Sequence, residues 1–223
     1  MQDLLANIKI QVNPKTYVKD PETSDLGKKI IKNSILLIDE IGFEEFTFKK
    51  LGEKIGSNES SIYRYFENKH KLLVYLSSWY WAWIEYRLVF STNNINDKFE
   101  KLKRAILIVT ETIEDDSKTE HIDEAVLNKI IIEEFTKTLY NKNVDEENKE
   151  GIFLIYKQVN YRIEKMILDI NPDYPYAKSL VSSIIEGSLH QHFLKNHLKT
   201  ITNCNENINP SEFYIHLIEN LLR

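Results

Sequence analysis

Apolar residues recur along most of the chain at spacings of three and four, the period of an amphipathic helix. Ile30, Ile31, Ser34, Leu37, Ile38 and Ile41 form a first stripe, which predicts a helix over residues 25–40, capped by Ser24 and ended by Gly42. Leu51 and Ile55 set a second, short helix. Gly52 lies on its inward side, where a missing side chain admits another helix, and Gly56 supplies the φ > 0 residue that ends it. Asn58 or Ser57 then caps a third, with Ile62 and Phe66 turned inward, and a fourth starts at Asn68-Lys69. Phe43, Phe46, Phe48 and Phe66 fill the small core between these helices. The fourth runs through LLVYLSSWYWAWIEYRLVF to about Phe90, with Leu73, Leu76, Tyr80, Trp83, Ile84 and Arg87 along one side.

STNNI at 91–95 breaks the pattern and marks a domain boundary. Periodic segments follow at 97–114, 122–141, 147–170, 174–200 and 210–223, the last opened by Pro210 with Glu212 in its first turn. The expected architecture is all-α, with about nine helices. Residues 1–24 depart from it. Ile8-Lys9-Ile10-Gln11-Val12 alternates, and Thr16-Tyr17-Val18 follows Asn13-Pro14-Lys15, which predicts a short β-hairpin arm. The domains are therefore 1–24 (arm), 25–90 and 91–223.

A small residue, a glycine four later and an apolar residue six after that is the spacing of a helix-turn-helix. Its second helix offers Asn58, Glu59, Ser60, Ser61, Tyr63 and Arg64, groups able to donate to phosphates or read base edges. The bland alternative is a helical hairpin with a polar outer face. Here the stretch GFEEFTFKKLGEKIGSNESSIYRYFENKHKLL resembles the DNA-binding segment of the TetR/AcrR family of bacterial transcriptional regulators. Gly42-Phe43, Thr47, Gly52, Gly56, Ile62-Tyr63, Phe66 and Lys69 match that family's pattern. It departs from the pattern in Ser57-Asn58, where Val-Ser is usual, and in Gly52 and Ile55, where Ala is favoured.

The resemblance covers about a quarter of the chain and implies a DNA-binding regulator, a repressor released by a small-molecule effector. It places Tyr63, Tyr65 and Lys69 at positions that hold the DNA backbone, beside Thr47 and Lys49 on the preceding helix. It makes 91–223 the effector-binding and dimerisation domain. The two C-terminal helices, through Ala177, Leu180, Val181, Ile184, Ile185, Ser188, Phe213, Leu217 and Leu221, would pair with their two-fold mates. The same residues would serve equally as an internal core. Trp83, Tyr86, Phe135, Tyr156 and Tyr161 are the aromatic candidates for an effector pocket, and a buried core uses such residues too. The implied partners are double-stranded DNA with a palindromic operator, a second copy of the chain, and an effector the sequence does not name.

Charge refines this picture. The formal net charge is −5, yet residues 47–73 carry six basic side chains (Lys49, Lys50, Lys54, Arg64, Lys69, Lys71) against Glu53, Glu59 and Glu67. A locally basic face on an acidic protein still attracts phosphate. Lys9, Lys15 and Lys19 would let the arm follow a phosphate backbone; the alternative is a hook packed on the protein's own surface. One cysteine, Cys204, excludes an internal disulfide and suits a reducing compartment, and no apolar run is long enough to span a membrane. The expectation is a cytoplasmic protein. No HExxH, cysteine pair or glycine-rich phosphate loop occurs, so neither an enzyme nor a metal or cofactor site is expected. Two further readings stay open: an effector-independent architectural DNA binder, and a helical interaction protein with a degenerate DNA unit, for which Glu59 at the reading edge is the best support.

Overall fold

The computed structural model describes residues 10–113 and 121–222. Ten α-helices lie among the described residues, with no strand: α1 (Asp25–Glu45), α2 (Phe48–Ile55), α3 (Glu59–Tyr63), α4 (Lys69–Thr92), α5 (Lys98–Thr110), α6 (Glu124–Leu139), α7 (Val144–Lys149), α8 (Leu154–Ile170), α9 (Ala177–His197) and α10 (Pro210–Leu222). The chain divides into two compact units, Met1–Ala82 with Ile113–Leu154, and Trp83–Thr112 with Ile155–Arg223. The division between these compact units falls inside α4, and α6 and α7 are grouped with α1–α3.

In the first unit, Ser24 caps α1 by accepting from the Gly27 N–H at 3.2 Å, and Ile30, Ile31, Ser34, Leu37 and Ile38 are buried as the stripe predicts. Gly42, at φ 76° and ψ 156°, sits where only glycine is at ease, and it interrupts α1 before a last turn that ends at Glu45. Every residue of α4 from Leu72 to Trp81 is buried. Its aromatic run is thus a core with covered faces all round: Trp81 packs on Phe135 of α6, and Tyr75 meets both Tyr17 and Phe66 edge-on. Two polar tips inside this core find partners, Asn128 donating to the Tyr80 hydroxyl at 2.9 Å and Tyr75 donating to Glu22 at 3.2 Å, whereas the buried Ser77 Oγ makes no hydrogen bond among the described residues. Burial, with the Glu22 charge beside it, pushes the Tyr75 phenol far above its ordinary value. Burial would also raise the Glu22 carboxyl, but the hydrogen bond and charge of His121 and the Tyr75 hydroxyl outweigh it and hold the group low.

Two expectations about local structure are corrected. Ile8 and Lys9 lie outside the described residues; from Ile10 onward the arm forms no strand but two 3-10 turns, Pro14–Thr16 and Pro21–Thr23. Each is an Asx-Pro unit, in which the Asn13 amide oxygen or the Asp20 carboxylate accepts the N–H two residues on at 2.9 Å, so the chain curls where alternation alone suggests extension. The arm packs on its own unit, Val18 N–H donating to the Tyr65 carbonyl at 2.8 Å. The segment at 147–170 is two helices, because Gly151 (φ 77°) turns the chain and drops Ile152 and Phe153 against Val74. That split takes the helix number from the expected nine to ten.

In the second unit α5 packs against α9 and α10. The core draws on Leu102, Ala105 and Ile106 of α5, Val159, Ile163 and Ile167 of α8, Ile184 and Ile185 of α9, and Ile218 of α10. Gly187 lets α10 approach α9 closely, since a Cβ there would stand 2.2 Å from the Tyr214 hydroxyl. Asn209-Pro210 opens α10 as the sequence predicts, with Glu212 accepting from the Asn209 N–H at 3.1 Å. No described helix is long and apolar enough to cross a membrane.

His192 is buried on α9, its Nε2–H donating to the Thr110 carbonyl at 2.8 Å. Burial lowers its pKa against the opposing effect of that hydrogen bond. A folded value below the unfolded one means that the unfolded chain takes up the proton first, so the stability contributed by neutral His192 is complete above about pH 6.5 and is lost as pH falls below it. Urea denaturation between about pH 7 and pH 5 is expected to show declining stability, with a shallower decline in His192→Gln.

Candidate nucleic-acid interface

The polar face expected to meet DNA is built on a tight turn. Thr47 caps α2 by accepting from the Lys50 N–H at 3.2 Å, and Phe48, Leu51 and Ile55 bury its inner side. Gly56, at φ 66° and ψ 39°, ends α2 in the left-handed region, and Ser57 N–H returns to the Gly52 carbonyl at 2.9 Å. Gly52 lies against the turn and the start of α3: a Cβ there would lie 2.7 Å from the Ser57 carbonyl oxygen and 3.3 Å from the Glu59 nitrogen. Ile62 and Phe66 anchor α3 from beneath, both with no exposed surface.

This leaves Thr47, Lys49, Asn58, Ser60, Tyr63 and Arg64 exposed, with Glu59 and Ser61 half-buried. Asn58 occupies the cap position of α3, but its side chain makes no capping hydrogen bond; its carbonyl takes the Ser61 N–H at 2.9 Å. The expectation that the Asn58 side chain closes this helix is therefore corrected, and its amide is free to point outward. Tyr63 is 48% exposed and rests its ring edge-on against Phe48, centroids 5.0 Å apart, so the phenol is held rather than mobile.

Tyr65 and Lys69 are differently placed. Tyr65 is 4% exposed; its hydroxyl lies 2.8 Å from the Ser24 Oγ and 3.4 Å from the Lys19 ammonium, which also sits 5.0 Å over the ring. Lys69 donates to three carbonyls where α1 closes, Phe43 at 3.1 Å, Glu44 at 2.9 Å and Phe46 at 3.3 Å. These are partners within the protein. The other basic residues of the segment are also engaged: Lys50 pairs with Glu45 at 3.2 Å, Lys54 with Glu40 at 2.5 Å, and Lys71 with Glu147 at 3.0 Å. Among the described residues no ion pair engages Lys49 or Arg64. The local positive excess visible in the sequence is thus narrowed to these two cations at the reading edge.

The remaining candidates are dispersed. Ala177, Leu180, Val181, Ile184, Ile185 and Ser188 are buried within the single chain, Leu217 is half-buried, and Phe213 and Leu221 are 45% and 44% exposed. Phe135 belongs to the core of the first unit, its ring tilted against that of Trp81. Trp83, Tyr86, Tyr156 and Tyr161 belong to the second: Trp83 under Arg87, Tyr86 beside Phe90, Tyr156 donating to Glu186 at 3.0 Å, and Tyr161 53% exposed beneath Lys165. Sequence reasoning missed the Ser24–Tyr65–Lys19 group, whose members lie 41 and 46 residues apart along the chain and share no local pattern.

Residues 30–76 match the model of the bacterial regulatory proteins, tetR family. This segment belongs to the TetR family. The matched span contains α2, the Gly56 turn, α3 and the buried start of α4. Three solved structures have a similar fold over most of the chain. One is the fatty acid degradation regulator FadR from Bacillus halodurans (TM-score 0.56, 17% identity, covering 90% of this chain and 96% of that one). Another is AibR in complex with isovaleryl coenzyme A and operator DNA (0.54, 16%, 87% and 97%). The third is the superantigen PfiT (0.57, 14%, 91% and 97%). At such identities the likeness is one of fold. No curated protein sequence matches the chain.

The TetR-family turn here is tighter than alanine allows. Gly52→Ala must displace the Ser57 carbonyl, a backbone atom, and is expected to cost about 1–3 kcal/mol in denaturant unfolding. An unchanged midpoint would show that the turn yields freely.

Proposed function

We propose that the chain is a DNA-binding transcriptional regulator, responsive to a small molecule and acting as a repressor that the effector releases. The observation that carries this reading is the exposed polar face of α3, set on a glycine-ended α2 inside the TetR-family segment. Asn58, Ser60, Tyr63 and Arg64 read or hold the duplex, with Lys49 and the cap residue Thr47 on the flank. Glu59 and Ser61 lie at the edge of this face, where a carboxylate accepts from cytosine N4. Tyr65 and Lys69 act from behind, fixing the exit of α3 rather than touching phosphate, since their polar groups are already bonded.

Binding is by a homodimer in the cytoplasm. One α3 face buries little surface, and two half-sites about 34–36 Å apart supply the rest. Phe213 and Leu221, exposed on α10 with Leu217 half-buried beside them, are the side chains free to meet a second copy. An effector seated in the helical second unit, against aromatic residues such as Trp83, Tyr86, Tyr156 and Tyr161, works by linkage: it releases DNA only as far as it favours the DNA-incompetent arrangement. AibR, solved with isovaleryl coenzyme A and operator DNA, supports an effector-responsive regulator on this fold.

A second reading, a helical interaction protein without operator affinity, is favoured by the commitment of Lys50, Lys54, Lys69 and Lys71 to internal partners and by Glu59 at the reading edge. Selection of duplexes from a random pool separates the two. The native chain is expected to recover a two-fold symmetric site. Lys49→Ala/Arg64→Ala is expected to bind that site more weakly, with a salt dependence shallower by about one to two charges per protomer. Recovery of no duplex at low salt would overturn the regulator reading; recovery without symmetry or sequence preference would make the protein an architectural binder.

A further inference from the structure

Of the α7 residues Val144–Lys149, Glu147 is the buried one, 3% exposed, and it sits shortly before the chain passes into the second unit at Ile155. Its carboxylate accepts from His70 Nε2, 3.1 Å from Oε1 and 3.3 Å from Oε2, and from the Lys71 ammonium at 3.0 Å. The other charged residues of α7 are turned outward: Asp145, Glu146 and Lys149 are exposed, and Glu146 and Lys149 pair with each other. A buried carboxylate is tolerated only when its partners are fixed, so α7 and the residues it grips move together or not at all. Two further contacts hold the same corner. Asn13 donates to the Glu150 carbonyl at 3.1 Å, and Ile152 and Phe153 lie on Val74.

His70 and Lys71 form the first turn of α4, where Asn68 Oδ1 accepts the Lys71 N–H at 2.9 Å and Lys69 grips the carbonyls that close α1. Five residues, Arg64 to Asn68, separate this turn from the end of α3. The direction in which α3 leaves the helix-turn-helix is therefore set at one end by the Gly52 contact and at the other by the turn that Glu147 holds.

We propose that Glu147 is a positioning residue for DNA reading: through His70 and Lys71 it ties α7 to the first turn of α4 and so fixes the aim of α3. This rests on the DNA-binding reading above. A clamp of this kind sets how accurately two α3 faces match a symmetric site. It does not set how strongly either one attracts phosphate, because no charge of the reading edge is involved.

The test is the full chain carrying Glu147→Gln, His70→Gln, or both, measured against the selected full site, an isolated half-site and a random duplex. Affinity for the full site is expected to fall about tenfold in either single variant, with little further loss in the double. Half-site and random-duplex affinities, the salt slope and the thermal midpoint should stay close to native. Equal losses on all three duplexes together with a lowered midpoint would assign Glu147 to stability alone and overturn the proposal, as would full additivity of the two substitutions. Should the native chain bind no duplex, the DNA reading fails by itself, and amide exchange still decides the clamp. Faster exchange at Lys71 and Leu72 in Glu147→Gln, with the midpoint unchanged, supports it, and unaltered exchange overturns it.

Discussion

The first unit depends on one constraint: α4 is buried on every face from Leu72 to Trp81. A surface helix needs one apolar stripe and one covering neighbour, whereas a helix apolar all round must be enclosed. That requirement brings α6 onto one side through Phe135, the arm onto another through Tyr17, and the Gly151 turn onto a third through Ile152 and Phe153. It also explains why residues distant in sequence join the DNA-binding segment in one compact unit. Polar tips inside the enclosure are cut off from water, and Glu22 and Asn128 supply internal partners for the Tyr75 and Tyr80 hydroxyls.

Charge follows the same logic. Residues 47–73 look basic in the sequence, but a lysine is defined by its partners. Lys69 neutralises the carbonyl ends where α1 closes, a favourable site for a cation, and Lys29 does the same for the end of α2 by donating to the Ile55 carbonyl at 2.8 Å. Lys71 compensates a buried carboxylate, and Lys50 and Lys54 pair at the surface, where each contact contributes little stability. Among the described residues, no ion pair engages Lys49 or Arg64, the remaining cations of this segment. A protein of net charge −5 with two uncommitted cations on its reading edge gains only a modest electrostatic term from DNA. On the proposed reading, discrimination would then fall on short-range contacts from Asn58, Ser60 and Tyr63, which demand an accurately aimed helix.

Legibility divides along the same line. The helix-turn-helix was readable because its determinants are local: a Thr cap, a glycine at the close approach, a glycine in the left-handed turn, and two inward apolar residues, all within twenty positions. The aromatic run of α4 was readable as core because no polar face interrupts it. Alternation over five residues predicts a hairpin for the arm but competes poorly with two Asx-Pro turns. Gly151 was passed over because one glycine within a periodic stretch looks tolerable until its φ is known. The grouping of α6 and α7 with the helix-turn-helix, and the partners of Tyr65 and Lys69, depend on pairings tens of residues apart. His70 and Glu147, 77 positions apart, belong to the same class. Local periodicity contains no such information.

Long-range ties of this kind bear directly on the regulation proposed above. A switch needs two arrangements of packed elements, and packed cores change discretely rather than by smooth deformation. The enclosed half of α4 resists local change, since no face can move without uncovering apolar surface. Its first turn is different, because it is held by discrete polar contacts: three carbonyls on Lys69, one carboxylate on His70 and Lys71, one amide oxygen on the Lys71 N–H. Such contacts are directional, so a small displacement of either partner weakens them steeply. On the regulator reading proposed above, the polar turn beside α3, rather than the enclosed part of α4, is where a displacement would become a change of aim.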